Sequence, residues 1–186
     1  MVKTTFPNGD SKEFDEAVSG LEIAQSIGEG LARAALAVKV NGKVQDLSQK
    51  ITTDSSVQIL TFKDVEGKEV FWHSSAHVLA IAAKRIWPEI KLTIGPAIES
   101  GFYYDFEKAE SFKDEDLEKI EAEMKKVVKE KLPFQRNEVT LDQAKKQFKD
   151  NKFKLEIIED YKETQLTTYS SGDFSDLCSG PHVPNT

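Results

Sequence analysis

The stretch Trp72-His73-Ser74-Ser75-Ala76-His77 opens the longest apolar segment of this 186-residue chain and carries two histidines four residues apart. On a helix, that spacing places both imidazole rings on one face. Near the other end of the chain, Cys178-Ser179-Gly180-Pro181-His182 contains the only cysteine and the last of three histidines, again four residues apart. Because four scarce and reactive residues fall into two pairs of equal spacing, we predict that they form one site closed by the fold.

Two kinds of chemistry suit these four residues, and each pair taken alone is also typical of a core histidine or a small buried cysteine. Nitrogen and sulfur donors from two distant segments match a tetrahedral zinc site. Alternatively, the histidines act as general bases or position water in a hydrolysis. The helix motif has Ser74 where zinc peptidases carry glutamate, which disfavours peptidase chemistry.

Composition restricts the class of protein. The chain is 39% hydrophobic and 31% charged, as expected of a globular protein. A single cysteine excludes an internal disulfide, and we find neither a signal peptide nor an apolar run of roughly 20 residues, so we expect a cytoplasmic protein without membrane contact. The net charge of −7 argues against a domain that grips nucleic acid mainly by neutralising phosphates, but contact with an RNA end remains possible.

The first third of the chain alternates short strands with one main helix, which predicts a small β-grasp, ubiquitin-like domain over residues 1–62. Strands at 2–6 and 12–14 flank Pro7-Asn8-Gly9-Asp10, whose Asn-Gly dipeptide suits a type I′ turn. A helix follows from the capping box of Ser19 and Glu22 to Gly28, and a helical turn is predicted at 31–35. Strands at 36–40 and 43–46 flank another Asn-Gly turn at Asn41-Gly42, and a last strand is predicted at 57–62.

The polar segment 64–68 is the predicted boundary, and residues 63–186 are predicted to form a larger α+β domain. Its predicted elements are a largely buried helix at 69–87, strands at 91–95 and 102–106, an amphipathic helix ending near 131, a strand at 134–140, a helix at 141–149 and strands at 166–169 and 174–177. The segment 153–158 is ambiguous between helix and strand. The fold class is therefore α+β throughout.

Three motifs together resemble a known family. They are His73-Ser74-Ser75-Ala76-His77, the run from Ile94-Gly95-Pro96 to Gly101-Phe102-Tyr103-Tyr104-Asp105, and Asp176-Leu177-Cys178-Ser179-Gly180-Pro181-His182-Val183-Pro184. Their order and spacing closely resemble the amino-terminal half of bacterial-type threonyl-tRNA synthetases. The resemblance covers the whole chain, with residues 1 to about 62 similar to the TGS domain of that family and the remainder similar to its tRNA-editing domain.

The resemblance implies an editing hydrolase that cleaves the ester of mischarged seryl-tRNA(Thr). The parent family is an ATP-dependent threonine–tRNA ligase, whose catalytic core, with its ATP, Mg and Zn, would lie beyond Thr186, so no aminoacylation and no cofactor are expected here. The implied partners are the tRNA 3′ end and the rest of the synthetase. The alternative is a non-catalytic module that docks a tRNA acceptor end or a protein, with a structural His/Cys cluster.

The resemblance also implies roles for single residues. The catalytic set is His73, Lys154, His77 and His182, and the substrate-binding set is Cys178, Asp176 and Tyr104. No metal is expected, but if zinc is bound, its ligands would be His73, His77, Cys178 and His182. The lysine match leaves Lys152 open, and simpler interpretations are a solvated lysine at Lys154, a turn cap at Asp176 and a core aromatic at Tyr104.

Overall fold

The computed structural model describes residues 1–160 and 165–186, which divide into two compact units. The first comprises Met1–Phe71 with Pro181–Pro184, and the second Trp72–Gly180 with Asn185–Thr186. The sequence predicts a boundary after residue 62, whereas this division follows Phe71. The polar segment 64–68, the predicted boundary, is helical from Val65 onward. Its glycine has a packing role, because a Cβ at Gly67 would lie 2.0 Å from the Thr61 carbonyl oxygen.

The first unit is built on a five-stranded mixed sheet with strand order β2-β1-β7-β4-β5. Its elements are β1 (Val2–Thr5), β2 (Ser11–Phe14), β3 (Val18–Ser19), α1 (Gly20–Ile27), α2 (Glu29–Ala34), β4 (Ala37–Val40), β5 (Lys43–Gln45), β6 (Lys50–Ile51) and β7 (Ser55–Leu60). β1 pairs in parallel with β7 and antiparallel with β2. From α1, Ile23 and Ala24 pack with Val38 and Val57 of the sheet. One helix covering a mixed sheet is the predicted β-grasp arrangement.

Local signals in the first unit behave as expected with one exception. Ser19 caps α1 and forms the predicted capping box with Glu22. The Asn41-Gly42 turn has positive φ at both residues, 49° and 85°, as a type I′ turn requires. The same prediction for the first hairpin is wrong, because only Gly9 has a positive φ there, and the longer loop closes with a hydrogen bond from Phe6 N–H to the Asp10 carbonyl.

The second unit combines helices with a three-stranded antiparallel sheet of order β12-β13-β14. The remaining elements of the chain are α3 (Val65–Ile86), β8 (Lys91–Leu92), β9 (Ala97–Ile98), β10 (Gly101–Phe102), β11 (Phe106–Glu107), α4 (Asp114–Glu130), β12 (Gln135–Thr140), α5 (Leu141–Gln147), α6 (Lys152–Asp160), β13 (Gln165–Ser171) and β14 (Phe174–Leu177). Val78 and Ile81 of α3 pack with Val127 of α4 and with Phe174 of the sheet. A second cluster joins Ala144 of α5, Ile158 of α6 and Leu166 of β13.

The strand predicted at 91–95 is shortened to β8, and the strand predicted at 102–106 is wrong as one element, because its ends belong to β10 and β11. β8 pairs with β11 over two residues only. Beyond that pair, Thr93 N–H donates to the Asp105 carbonyl, and Asp105 N–H donates to the Ile94 carbonyl. Two residues therefore oppose one, and this bulge interrupts the ladder before Pro96.

The ambiguous segment 153–158 belongs to the helix α6. The Asn151 side-chain oxygen accepts hydrogen bonds from the backbone N–H groups of Phe153 and Lys154, at 3.1 and 3.3 Å. Asparagine is a preferred residue at a helix start, so Asn151 is the local signal that fixes this helix. None of the helices in the described ranges is long and apolar enough to cross a lipid bilayer.

Candidate active site

The second unit contains a cavity of about 580 Å³ that most of the predicted site residues line. Its polar lining comprises His73 and His77 of α3, Tyr104, Arg136 and Glu138 of β12, Lys154 of α6, Thr167 of β13, Asp176 of β14, Cys178 and Ser179. Segments that are distant in sequence thus contribute to one cavity.

Strand register explains why β12, β13 and β14 present these side chains together. In the antiparallel ladder, Tyr169 of β13 lies opposite both Arg136 and Asp176. Cross-strand partners face the same side of a sheet, as do residues two apart on one strand. Glu138 and its partner Thr167 therefore share the face of Arg136 and Asp176.

Cys178 follows directly after β14 and is held in place by Thr167. The Cys178 backbone N–H donates to the Thr167 carbonyl at 3.1 Å, and the Thr167 hydroxyl donates to the Cys178 carbonyl at 2.6 Å. Its Sγ atom lies 2.9 Å from Nε2 of His73 and accepts a hydrogen bond from Gly180 N–H at 3.2 Å. The fold thus joins the helix motif to the cysteine motif at this contact.

The two histidines of α3 are neutral bases at neutral pH. Burial lowers the pKa of His73 below 6.5, and the Asp176 charge and a hydrogen bond to the Gly95 backbone act in the opposite direction. Burial, followed by the charges of His73 and Lys154, lowers the pKa of His77 further. The two rings lie 5.1 Å apart between centroids, one turn apart on the helix. His77 is 3% exposed, whereas His73 is half-buried and closer to solvent.

Lys154 and Asp176 form a buried ion pair in the cavity wall. Their charged atoms, Nζ and Oδ1, lie 2.7 Å apart, and each side chain is 4% exposed. The Asp176 carboxylate also accepts hydrogen bonds from the Tyr104 hydroxyl at 2.9 Å and from Leu177 N–H at 2.8 Å. Burial and the Asp176 charge raise the pKa of Tyr104, so its hydroxyl stays protonated and donates. Lys154 is therefore a buried residue and not a solvated lysine.

Two glycines allow the cavity wall to close. A Cβ at Gly95 would lie 2.1 Å from the Tyr104 ring, so the loop reaches this ring only with glycine at 95. Gly180 has φ +66°, and a Cβ there would lie 2.1 Å from the Tyr169 hydroxyl. Both glycines belong to the motifs that the sequence analysis singles out, and their close approaches explain the residue type.

Lys152 and His182 are not among the residues that line this cavity. Lys152, the alternative to Lys154, is 59% exposed and pairs with Glu107 at 3.0 Å, so it does not line the cavity. His182 is buried and belongs to the first unit, where its backbone N–H donates to the Asp46 carboxylate at 2.7 Å. Its role in the site stays a prediction.

Sequence reasoning missed Arg136 and Glu138, which line the cavity from β12. Residues 135–138 are four consecutive polar residues, so the sequence has no alternation that would distinguish the two faces of this strand. The pairing of β12 with β13 assigns this face to the cavity, and no local signal in the sequence gives that register.

The first unit contains a match to a known protein family. Residues 2–61 match the family model of the TGS domain. The N-terminal part of the first unit is thus a TGS domain of the β-grasp type, and the predicted α+β class is confirmed.

Whole-chain relatives extend the match to the second unit. The chain is 50% identical over 189 residues to a threonine–tRNA ligase of Carboxydothermus hydrogenoformans, and 49% identical to those of Desulforamulus reducens and Clostridioides difficile. It is covered completely in each case, but it spans only 30% of the length of these relatives. The chain is homologous to the N-terminal region of bacterial threonine–tRNA ligases, which confirms the resemblance.

Proposed function

We propose that this chain hydrolyses the ester bond of seryl-tRNA(Thr), the mischarged product of a threonine–tRNA ligase. The observation that carries the proposal is the convergence of a neutral histidine, a buried lysine–aspartate pair and a thiol on one cavity. Homology to the N-terminal region of these ligases supplies the substrate class. The 3′ end of the tRNA and the remainder of the synthetase are the proposed partners.

Energetics explain the need for a second site. A synthetase pocket built for threonine rejects valine by demanding a hydrogen-bonded hydroxyl, but serine has that hydroxyl and lacks only a methyl group. One methyl group is worth roughly 1–3 kcal/mol, or about a 10- to 200-fold preference. An editing cavity that admits serine and excludes the extra methyl of threonine corrects the remaining errors.

The proposed chemistry is general-base hydrolysis. A water molecule attacks the ester carbonyl carbon, and His73 takes its proton as the carbon–oxygen bond to the ribose breaks. The protonated His73 then returns this proton to the ribose oxygen, so that the tRNA leaves with a free ribose hydroxyl and serine is released. A neutral imidazole with a lowered pKa is ready to accept this proton at neutral pH. Lys154 assists from the cavity wall, 2.7 Å from Asp176.

Substrate contacts follow from the remaining groups. A carboxylate can accept about four hydrogen bonds, so Asp176, with contacts to Lys154, Tyr104 and Leu177 N–H, has capacity for the serine ammonium. Cys178 shapes the pocket for the small side chain. His77 orients the ribose and ester, and His182 is proposed for the same role from the family resemblance.

Single-turnover deacylation tests the proposal. The purified chain should hydrolyse seryl-tRNA(Thr) and spare threonyl-tRNA(Thr), whereas a binding module would protect or ignore both esters. His73→Ala should lower the rate by about 10²–10⁴ with little effect on tRNA binding. The control is Lys125→Ala on α4, where the Lys125 side chain is 68% exposed, and this change should leave the deacylation rate unaltered. If folded His73→Ala deacylates at a near-normal rate, the base is another residue, and His182 is tested next.

We also propose that the reaction proceeds without a bound metal. Within the second unit, His73, His77 and Cys178 offer ligand atoms within 4.8 Å of one another, a donor set that zinc accepts. A histidine bound to zinc, however, has no lone pair with which to take a proton from water. Metal analysis of protein purified without added zinc decides this, and stoichiometric zinc on these side chains would overturn the metal-free mechanism.

A further inference from the structure

Arg136 is the accessible cation of the cavity. Among the described residues that line it, Lys154 and Arg136 carry positive charges. Lys154 is 4% exposed and is neutralised by Asp176, whereas the Arg136 side chain is 32% exposed. Its Nη1 donates to Glu138 at 2.8 Å, and Glu138 is 55% exposed. Exposed ion pairs contribute little to stability, so this pair can open at small cost when a ligand anion competes.

The sheet register relates Arg136 to the reacting groups. Arg136, Tyr169 and Asp176 form one row across three strands. With neighbouring strands about 4.8 Å apart, the backbone of Arg136 lies on the order of 10 Å from that of Asp176. A side chain on this row can contact a part of the substrate that is one nucleotide removed from the ester.

We infer that Arg136 binds the phosphodiester group that joins the last two nucleotides of the tRNA. This inference rests on the proposed function, because it concerns the substrate of the same cavity. From the ester outward, that phosphodiester is the first negative charge of the tRNA. The planar guanidinium donates two parallel hydrogen bonds to a phosphate and matches its geometry better than an ammonium.

Glu138 is the internal competitor for this contact. In the absence of substrate it occupies the Arg136 guanidinium, and on binding the phosphate takes its place. A chain of net charge −7 repels tRNA at long range, so a single well-placed cation at the cavity has a measurable effect on affinity. Arg136 is a substrate-binding residue in this scheme and does not touch the reacting ester.

Two small esters test the inference on the full chain. One is 3′-seryl-adenosine, which has no phosphate, and the other is the 3′-seryl ester of cytidylyl-adenosine, which has one. Arg136→Ala should raise KM for the dinucleotide ester about tenfold, with kcat unchanged, and leave both constants for seryl-adenosine unchanged. Arg136→Lys should give a smaller increase because it keeps the charge but loses the fork. Glu138→Gln should lower KM for the dinucleotide ester by about two- to fivefold.

The control is Lys125→Ala, which removes one exposed positive charge on α4 and should leave KM and kcat unchanged for both esters. If Arg136→Ala raises KM equally for both esters, the inference is overturned, since the residue would then act on the ester or on the fold. If it changes KM for neither ester, the inference is overturned too.

A binding measurement separates this inference from the proposed function. Cytidylyl-adenosine and adenosine contain no aminoacyl ester and so are not substrates of the proposed reaction. Their affinities are measured by calorimetry. Arg136→Ala should weaken binding of the dinucleotide about tenfold and leave adenosine unchanged. If the wild-type chain hydrolyses neither ester, the proposed function fails, while this measurement still decides whether Arg136 binds the phosphate.

Discussion

Replacing Lys154 with methionine should destabilise the second unit far more than the same change at Lys152. Lys154→Met removes the ammonium that lies 2.7 Å from Asp176 in a pair whose side chains are each 4% exposed. Breaking such a pair from one side leaves a buried charge without its counter-ion, which costs about 3–5 kcal/mol. Asp176 retains hydrogen bonds from Tyr104 and Leu177 N–H, so we expect the lower end, about 3 kcal/mol.

The double variant tests whether the loss comes from the unpaired charge. Asp176→Asn in the Lys154→Met background removes that charge and keeps an acceptor for Tyr104. We expect this double variant to lose only about 1 kcal/mol, which is about 2 kcal/mol less than Lys154→Met loses alone. Lys152→Met breaks an exposed pair with Glu107 and should cost less than about 1 kcal/mol.

Urea unfolding followed by tryptophan fluorescence measures these free energies, because both tryptophans, Trp72 and Trp87, lie in the second unit. Equal stabilities of Lys154→Met and Lys152→Met would refute the reasoning. A double variant no more stable than Lys154→Met would refute it as well, because the loss would then not come from the unpaired charge of Asp176.

Three further predictions concern single residues. Gly180→Ala should lower the free energy of unfolding of the second unit by more than about 2 kcal/mol, because φ is +66° and the new Cβ would meet the Tyr169 hydroxyl. Its control, Gly172→Ala, has φ +58° and only a flexible leucine nearby, so it should lose about 1 kcal/mol in the same urea assay. Hydrogen bonding to a lysine and a serine lowers the pKa of Glu22 to about 2, so its contribution is complete above pH 4.5 and is lost as the pH falls toward 2. Amide exchange in the first unit should show this loss, and Glu22→Gln should abolish it. Since burial lowers the pKa of His73, kcat/KM for deacylation should rise with pH through an apparent pKa below 6.5, and an apparent pKa above 6.5 would contradict a neutral His73 base.

Signals within a few residues allowed much of the fold to be predicted. The capping box of Ser19 and Glu22 satisfies backbone groups of its own helix, and Asn41-Gly42 sets its own turn. The periodicity of α4 gives its extent without knowledge of any partner. The extents of the strands between residues 91 and 106 could not be predicted in this way, because Thr93 and Ile94 both oppose Asp105 and interrupt the pairing.

The site was predictable only in part for the same reason. Spacing alone brought the helix and cysteine motifs together as a hypothesis, and the family resemblance assigned Lys154. The burial of Lys154 depends on Asp176, which lies on a separate strand. The sequence predicts only that Arg136 lies on a strand, and its pairing with Tyr169 is what assigns it to the cavity. Long-range register is the information that local patterns lack.

The hairpin between β13 and β14 determines which side chains of β14 face the cavity. Its two-residue turn, Gly172-Asp173, has φ +58° at glycine, as a type II′ turn requires at its first central position. One inserted residue would advance β14 by one step and turn Asp176 away from Tyr169, although every residue would still be present. An insertion or deletion in this turn would therefore change which residues of β14 face the cavity, whereas a side-chain substitution on the strands would not. A library that aims at new ester specificity should randomise alternate positions on these strands and hold the turn constant.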